Sequence, residues 1–358
     1  MKIIHCSDLH LDSRMEANLS FKQAQERNNE ICTTFSRMVT YATDHKVSVI
    51  MIVGDLFDTE RILAKTSGYF LDAVAQASEI DFLYLRGNHD ESRRAFAGRT
   101  LPKNLKLFSS EKWTYYDYGS VTIAGLELSR ANCISAYQTL ALRPDRTNLV
   151  MLHGQEATQP REDAVCIPSL REKNIGYLAL GHIHSYKKAP LDHSGEYCYC
   201  GCLEGRGFDE CGEKGFVLLD ITDQRITSEF IPFAKRKLHD IPVGITNKTT
   251  ISEIQQAMST AASDVPREDL VKFTLKGAYT LETQKDFRFL QQILESNYYF
   301  VKIKDESHLE LAKESYENDI SLKGEFIRMV MGSELSGEEK DKVICAGIQA
   351  LSGETITF

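Results

Sequence analysis

A chain of 358 residues has room for more than one domain, and 42% hydrophobic with 26% charged residues is the balance of an ordinary globular protein. The formal net charge of −9 argues against adhesion to nucleic acid through bulk charge, but leaves room for a local basic groove or metal-mediated phosphate binding. No apolar run is long enough to span a bilayer, strand-like sequence begins at the second residue with no room for a signal peptide, and the nine cysteines read as reduced thiols; a cytoplasmic protein with no membrane partner is expected.

Met1 to Cys6 reads as a strand running into Ser7-Asp8-Leu9-His10. Leu19 to His45 has helical spacing, with Ile31, Phe35, Met38, Val39 and Ala42 on one face. Ile50 to Val53 is a strand apolar on both faces, closed by Gly54-Asp55-Leu56-Phe57-Asp58. A second helix, Lys65 to Ser78, turns Tyr69, Phe70, Ala73, Val74 and Ala77 inward. Ile80 to Leu85 then runs into Arg86-Gly87-Asn88-His89-Asp90. Strand, helix, strand, helix, strand predicts an α/β layer with parallel neighbours.

From Leu105 to about Phe233 short strands dominate, among them Val121–Leu126, Gly215–Ile221 and Thr227–Ile231, with one short helix predicted over Pro168–Lys173. Within this stretch Leu149–Leu152 ends in His153-Gly154, and Ile175–Leu180 in Gly181-His182-Ile183-His184. The basic connector Ala234-Lys235-Arg236-Lys237 marks a boundary. Beyond it, a helix from Thr250 to Ala262 opens on the capping-box pair Thr250 and Glu253. Strands Leu270–Leu275 and Tyr298–Ile303 flank a helix from Thr283 to about Asn297, and Leu322 to Phe358 reads as two amphipathic helices.

Five apolar strands therefore each end in Asp, Asn or His, which points to one polyligand site at a sheet edge. A charge buried at a strand end is costly unless paired, and a metal ion is a common partner. Asp8 and His10 can face one ion, Asp55 can bridge two through its two oxygens, Asn88 offers a neutral oxygen, and His153, His182 and His184 offer imidazole nitrogens. Such mixed ligands suit manganese, iron or zinc, whereas calcium and magnesium prefer oxygen alone. Taken singly, each motif is more often a turn or an ordinary histidine; the ordered set, all after strands, carries the inference. Cys198, Cys200, Cys202 and Cys211 lack paired metal-ligand spacing and read as small buried thiols.

Asp-x-His, Gly-Asp-x-x-Asp, Gly-Asn-His-Asp, His-Gly and Gly-His-x-His, in that order, resemble the calcineurin-like metallophosphoesterases. The resemblance implies a four-layer αββα sandwich and two divalent ions, manganese first, with iron or zinc as alternatives. Asp8, His10, Asp55 and His184 would hold one ion and Asp55, Asn88, His153 and His182 the other, with His89 as the acid, steered by Asp90. Asp58-Thr59-Glu60 stands where protein serine/threonine phosphatases carry a phosphate-gripping arginine. Gly54 to Asp58, and Tyr199-Cys-Gly-Cys-Leu-Glu-Gly-Arg-Gly-Phe-Asp-Glu210, instead resemble the SbcD-type DNA-repair nucleases, which typically have proline and serine at Cys200 and Cys202.

That branch implies 3′–5′ exonuclease and single-strand endonuclease activity on DNA, with an SMC-like coiled-coil ATPase as partner and a homodimer left open. A small-molecule phosphodiesterase or phosphatase of the same superfamily is the alternative. The implied organisation is a metallophosphoesterase domain over 1–235, a small α+β capping domain over 236–318 and C-terminal partner-binding helices over 319–358. Arg86, Arg93, Arg94 and Arg99, with Lys187 and Lys188, are candidate substrate contacts.

Overall fold

The structure is a computed structural model that describes residues 1–13, 15, 19–58, 63–88, 90, 96, 98–280, 283–310 and 316–351. His89, Arg93 and Arg94 lie outside the described residues. The chain divides into two compact units, Met1–Lys237 and Leu238–Phe358. No helix among the described residues is long and apolar enough to cross a membrane.

In the first unit the strands are β1 (Lys2–Cys6), β2 (Val47–Val53), β3 (Asp81–Leu85), β4 (Leu105–Leu107), β5 (Thr114–Tyr118), β6 (Val121–Gly125), β7 (Thr147–His153), β8 (Gln155–Ala157), β9 (Ala164–Cys166), β10 (Tyr177–Gly181), β11 (Lys187–Pro190), β12 (Glu196–Tyr199), β13 (Gly215–Thr222) and β14 (Arg225–Pro232). They build two six-stranded sheets, ordered β14-β13-β1-β2-β3-β4 and β11-β12-β10-β7-β6-β5. In the first, β1 to β4 are parallel and β13 is antiparallel to both its neighbours, β1 and β14; in the second, β6, β7, β10 and β12 run parallel.

The period-2 alternation of β1 and β2 explains the layering. Ile3, Val49, Met51 and Val53 face the second sheet, meeting Leu149, Met151, Tyr177 and Ala179. Ile4, Cys6, Ile50 and Ile52 face outward onto the helices α1 (Phe21–Asp44) and α2 (Ala64–Gln76). Helix α1 starts on a capping box in which Ser20 Oγ accepts from Gln23 N, and it buries the stripe Ile31, Phe35, Met38, Val39 and Ala42. The outer face of the second sheet is covered mainly by irregular chain, with one short helix, α3 (Ala136–Thr139), and a 3₁₀ turn at Ile167–Leu170. That turn replaces the longer helix expected over Pro168–Lys173. Arg171 leaves it in an extended conformation, and Ile167 and Leu170 alone supply its buried face. The result is an α/β sandwich of four layers, the last one thin.

Strands β1, β2 and β3 of one sheet, and β7 and β10 of the other, are the five that the ligand motifs follow. Polar His5 ties the two sheets beneath that edge. Its Nε2 donates to the Leu180 carbonyl (3.2 Å), and its Nδ1 accepts from the Tyr177 hydroxyl (2.9 Å).

In the second unit, β15 (Leu238–Gly244), β16 (Leu270–Lys276) and β18 (Phe300–Asp305) form a parallel sheet under α4 (Ile251–Ala261) and α5 (Phe287–Glu295). Thr250 and Glu253 cap α4 reciprocally, whereas α5 starts later than Thr283 because Asp286 is its cap, accepting from Phe289 N. A two-stranded ladder, β17 (Ala278–Tyr279) with β19 (His308–Leu309), had no sequence signal. The C-terminal helices Leu322–Met331 and Gly337–Leu351 pack together through Ile327, Val330, Ile344 and Ile348 onto Leu309 and Tyr279. Several apolar side chains expected to face a partner are therefore buried in this unit. Leu322, Met329, Val343 and Leu351 stay exposed.

Candidate metal centre

The loops after β1 and β2 are zipped together: Asp8 N donates to the Gly54 carbonyl (3.0 Å), His10 N to the Asp55 carbonyl (3.0 Å) and Leu11 N to the Leu56 carbonyl (2.9 Å). Asp8, His10, Asp55 and His182 all adopt positive φ (51°, 47°, 50° and 100°), a conformation that costs energy in non-glycine residues and persists only where surroundings impose it. Glycine is required beside them. A Cβ at Gly54 would sit 2.0 Å from His153 Nδ1, and one at Gly87 would sit 2.2 Å from Asp55 Oδ1.

The structure brings seven of the candidate residues into two groups. Asp8, His10 and His184 converge in one; Asp55, His153 and His182 converge in the other, with Asn88 Oδ1 3.0 Å from His153 Nε2 and 3.3 Å from His182 Nδ1. His182 N also donates to both oxygens of Asp8 (3.0 and 3.1 Å), which joins the β10 loop to the β1 loop.

Which imidazole nitrogen is presented follows from what holds the other one. His10 Nδ1 contacts Asp58 Oδ1 (2.9 Å), His184 Nδ1 contacts Glu210 Oε1 (2.7 Å), and His153 Nδ1 donates to the Val53 carbonyl (3.0 Å). With Nδ1 of each ring engaged in this way, Nε2 is the nitrogen turned toward the centre. The Nε2 atoms of His10 and His184 then face each other at 3.2 Å beside Asp8, and His153 Nε2 faces the oxygens of Asn88 and Asp55 (3.3 Å to Asp55 Oδ2). Acceptors aimed at one another need a cation between them. Separations near 3 Å are those of neighbouring ligands around an ion with bonds of about 2.1 Å. The donor set thus fits two divalent ions.

The carboxylates favour positive charge at the site. Burial alone would lower the His153 pKa, but the hydrogen bond and charge of Asp55 outweigh it and raise it to about 9. Burial, then the His153 charge, lowers that of His182. For His184, burial works downward, but Glu210 and Asp8 prevail and raise it. At Asp58, burial is outweighed by hydrogen bonds from His10 and Ser13 and by the His10 and Arg206 charges, which hold it at about 2.

Asp58 and Glu210 stood in the sequence motifs without a role. Their offsets after Gly54 and within the Glu204–Glu210 run were the only signal. Asp90 has a different task from steering alone: its buried carboxylate accepts from Leu56 N (3.2 Å), Phe57 N (2.9 Å) and Gly87 N (3.0 Å), locking the loop of Asn88 onto the loop of Asp55. Among the described residues, the candidate substrate cations are already engaged. Arg86 forks onto Glu127, Arg99 donates to the Ala64 carbonyl, Lys187 pairs with Glu156, and Lys188 lies 3.6 Å from Glu196. Cys198 and Cys200 belong to the apolar packing between the sheets, where burial raises both thiols.

Residues 1–186 match the Metallophos family, the calcineurin-like phosphoesterases. Among individual proteins, the chain is 25% identical over 293 residues to the metallophosphoesterase YhaO of Bacillus subtilis, covering 78% of this chain and 69% of that one. It is 26% identical over 243 residues to the DNA double-strand break repair protein Mre11 of Saccharolobus solfataricus, covering 62% and 61%. The Mre11 of Sulfolobus acidocaldarius is 24% identical over 349 residues, covering 89% of each chain.

Proposed function

Since the chain belongs to the calcineurin-like phosphoesterases, we propose that it is a two-metal phosphodiesterase acting on DNA, of the SbcD type, with manganese as its working ion. The observation that carries the reading is the pair of ligand groups, Asp8/His10/His184 and Asp55/His153/His182 with Asn88, set side by side at one sheet edge. Bound there, a pair of divalent ions supplies positive charge to phosphate oxygens and lowers the pKa of water for attack at phosphorus.

The chain's own groups do the rest. Asp8 and Asp55, with the lone pairs of His10, His153 and His184, hold the cations, and Asp58, Glu210 and the Val53 carbonyl keep those imidazoles in the ligating tautomer. Asp90 holds the Asn88 loop in place. His89, by its place in Gly-Asn-His-Asp, is the acid that gives its proton to the leaving oxygen. The relatives named as Mre11 support DNA as substrate. An SMC-like coiled-coil ATPase is the proposed partner, and Leu322, Met329, Val343 and Leu351 are the apolar positions left at the surface of the C-terminal helices.

One observation favours a second reading. With net charge −9, and with Arg86, Lys187 and Lys188 each beside a carboxylate, the electrostatic case for a long polyanion is thin, as a small-molecule phosphodiesterase would have it. Manganese-supported digestion of single- and double-stranded DNA, beside bis(p-nitrophenyl) phosphate and nucleotides, separates them. DNA cleavage that His89→Ala lowers about hundred-fold or more, with a smaller loss on the nitrophenyl ester, is the expected result. Turnover of nucleotides with DNA untouched would select the second reading.

A further inference from the structure

Arg206 stands behind one ligand group and not the other. Its Nη1 lies 3.2 Å from Asp58 Oδ1, its Nη2 2.7 Å and its Nε 3.2 Å from Glu210 Oε1, and its backbone N donates to Glu210 Oε2 (2.7 Å). Asp58 and Glu210 are the two carboxylates that lie against Nδ1 of His10 (2.9 Å) and Nδ1 of His184 (2.7 Å). They come from loops far apart in the chain, and without a cation between them they would repel and each could rotate away from its imidazole. Histidine 153 is independent of this clamp, because its Nδ1 is held by a main-chain carbonyl.

We propose that Arg206 is a positioning residue: by fixing Asp58 and Glu210 it fixes the ring orientation and tautomer of His10 and His184, and so sets how tightly a divalent cation is held at the Asp8/His10/His184 position alone. The proposal rests on the two-metal reading of the site but not on any choice of substrate. Geometry rather than charge is the operative property. Arginine's planar fork reaches both carboxylates at once, whereas a lysine carries the same charge from a single point. Removing an outer partner of a ligand imidazole typically weakens metal binding about 10–100-fold.

The discriminating variant is therefore Arg206→Lys in the full chain. Titration calorimetry with manganese should show two sites in the wild type, with one weakened about 10–100-fold in R206K and the other unchanged. Anomalous diffraction from manganese-soaked crystals should place the loss at Asp8/His10/His184. The metal-free crystal structure of R206K should show the His10 and His184 rings turned away from Asp58 and Glu210, while His153 keeps its contact with the Val53 carbonyl. Should R206K not fold, Glu210→Gln, which leaves His184 a neutral acceptor, carries the same expectation. Unchanged affinity at both positions, or equal weakening of both, overturns the proposal. A wild type that binds no ions overturns the two-metal reading itself, and this inference with it.

Discussion

Replacing His5 with glutamine should remove a large part of the acid sensitivity of folding. His5 is fully buried between the sheets, and desolvation, only partly offset by the Leu180 carbonyl, lowers its pKa from 6.5 to about 3. Between those values the unfolded chain binds a proton that the folded chain refuses, so stability falls as pH falls from about 6.5 toward 3. Each pH unit in that window costs about 1.4 kcal/mol, and integration from pH 7 to pH 5 gives a loss of about 2 kcal/mol attributable to this one ring. Glutamine keeps a donor for Leu180 and an acceptor for the Tyr177 hydroxyl but cannot titrate in this range. Urea unfolding of wild type and His5→Gln at pH 7, 6 and 5 isolates the contribution, because every other titrating group cancels in the difference. H5Q should be the less stable protein at pH 7 and should close the gap by about 2 kcal/mol at pH 5. Two curves that stay parallel would refute the buried, neutral assignment.

Gly87→Ala should cost the Asp55/His153/His182 position, since its Cβ would lie 2.2 Å from Asp55 Oδ1 and 2.6 Å from Asp55 N, displacing that carboxylate. Affinity for manganese at that position should drop about ten-fold or more, and unchanged binding there would rule out the contact as drawn. Deleting residues 320–358 should destabilise the second unit, because Leu309 loses its cover and the Tyr279 hydroxyl loses Cys345 Sγ at 3.2 Å. A loss of stability of roughly 1.5–3 kcal/mol or more, that of one exposed apolar side chain, should show in calorimetry as a lower thermal midpoint for that unit. An unchanged transition would instead assign these helices to a partner.

Much of the site was legible before any tertiary contact was known. Five apolar runs, each closed by glycine or a polar turn and each followed by Asp, Asn or His, announce strand ends that deliver ligands, because inside a buried strand such a group is costly unless it is paired, as His5 is with Tyr177 and Leu180. The capping box at Thr250 and the stripe on α1 were equally local, written in offsets of three and four residues.

Other features had no local period to betray them. His10 and His184 meet across 174 residues, His153 and Asn88 across 65, and Arg206 reaches Asp58 across 148. Only the stacking of two sheets sets those distances. The same stacking decides which ring nitrogen of each histidine faces the centre, since that depends on Asp58, Glu210 and a Val53 carbonyl arriving from other strands. It also decides that Arg86, Lys187 and Lys188 meet carboxylates; in the second unit, packing onto Leu309 and Tyr279 decides that Ile327, Val330 and Ile344 are buried. Composition and spacing determine what a segment can offer; the packing of distant segments determines what that offer meets.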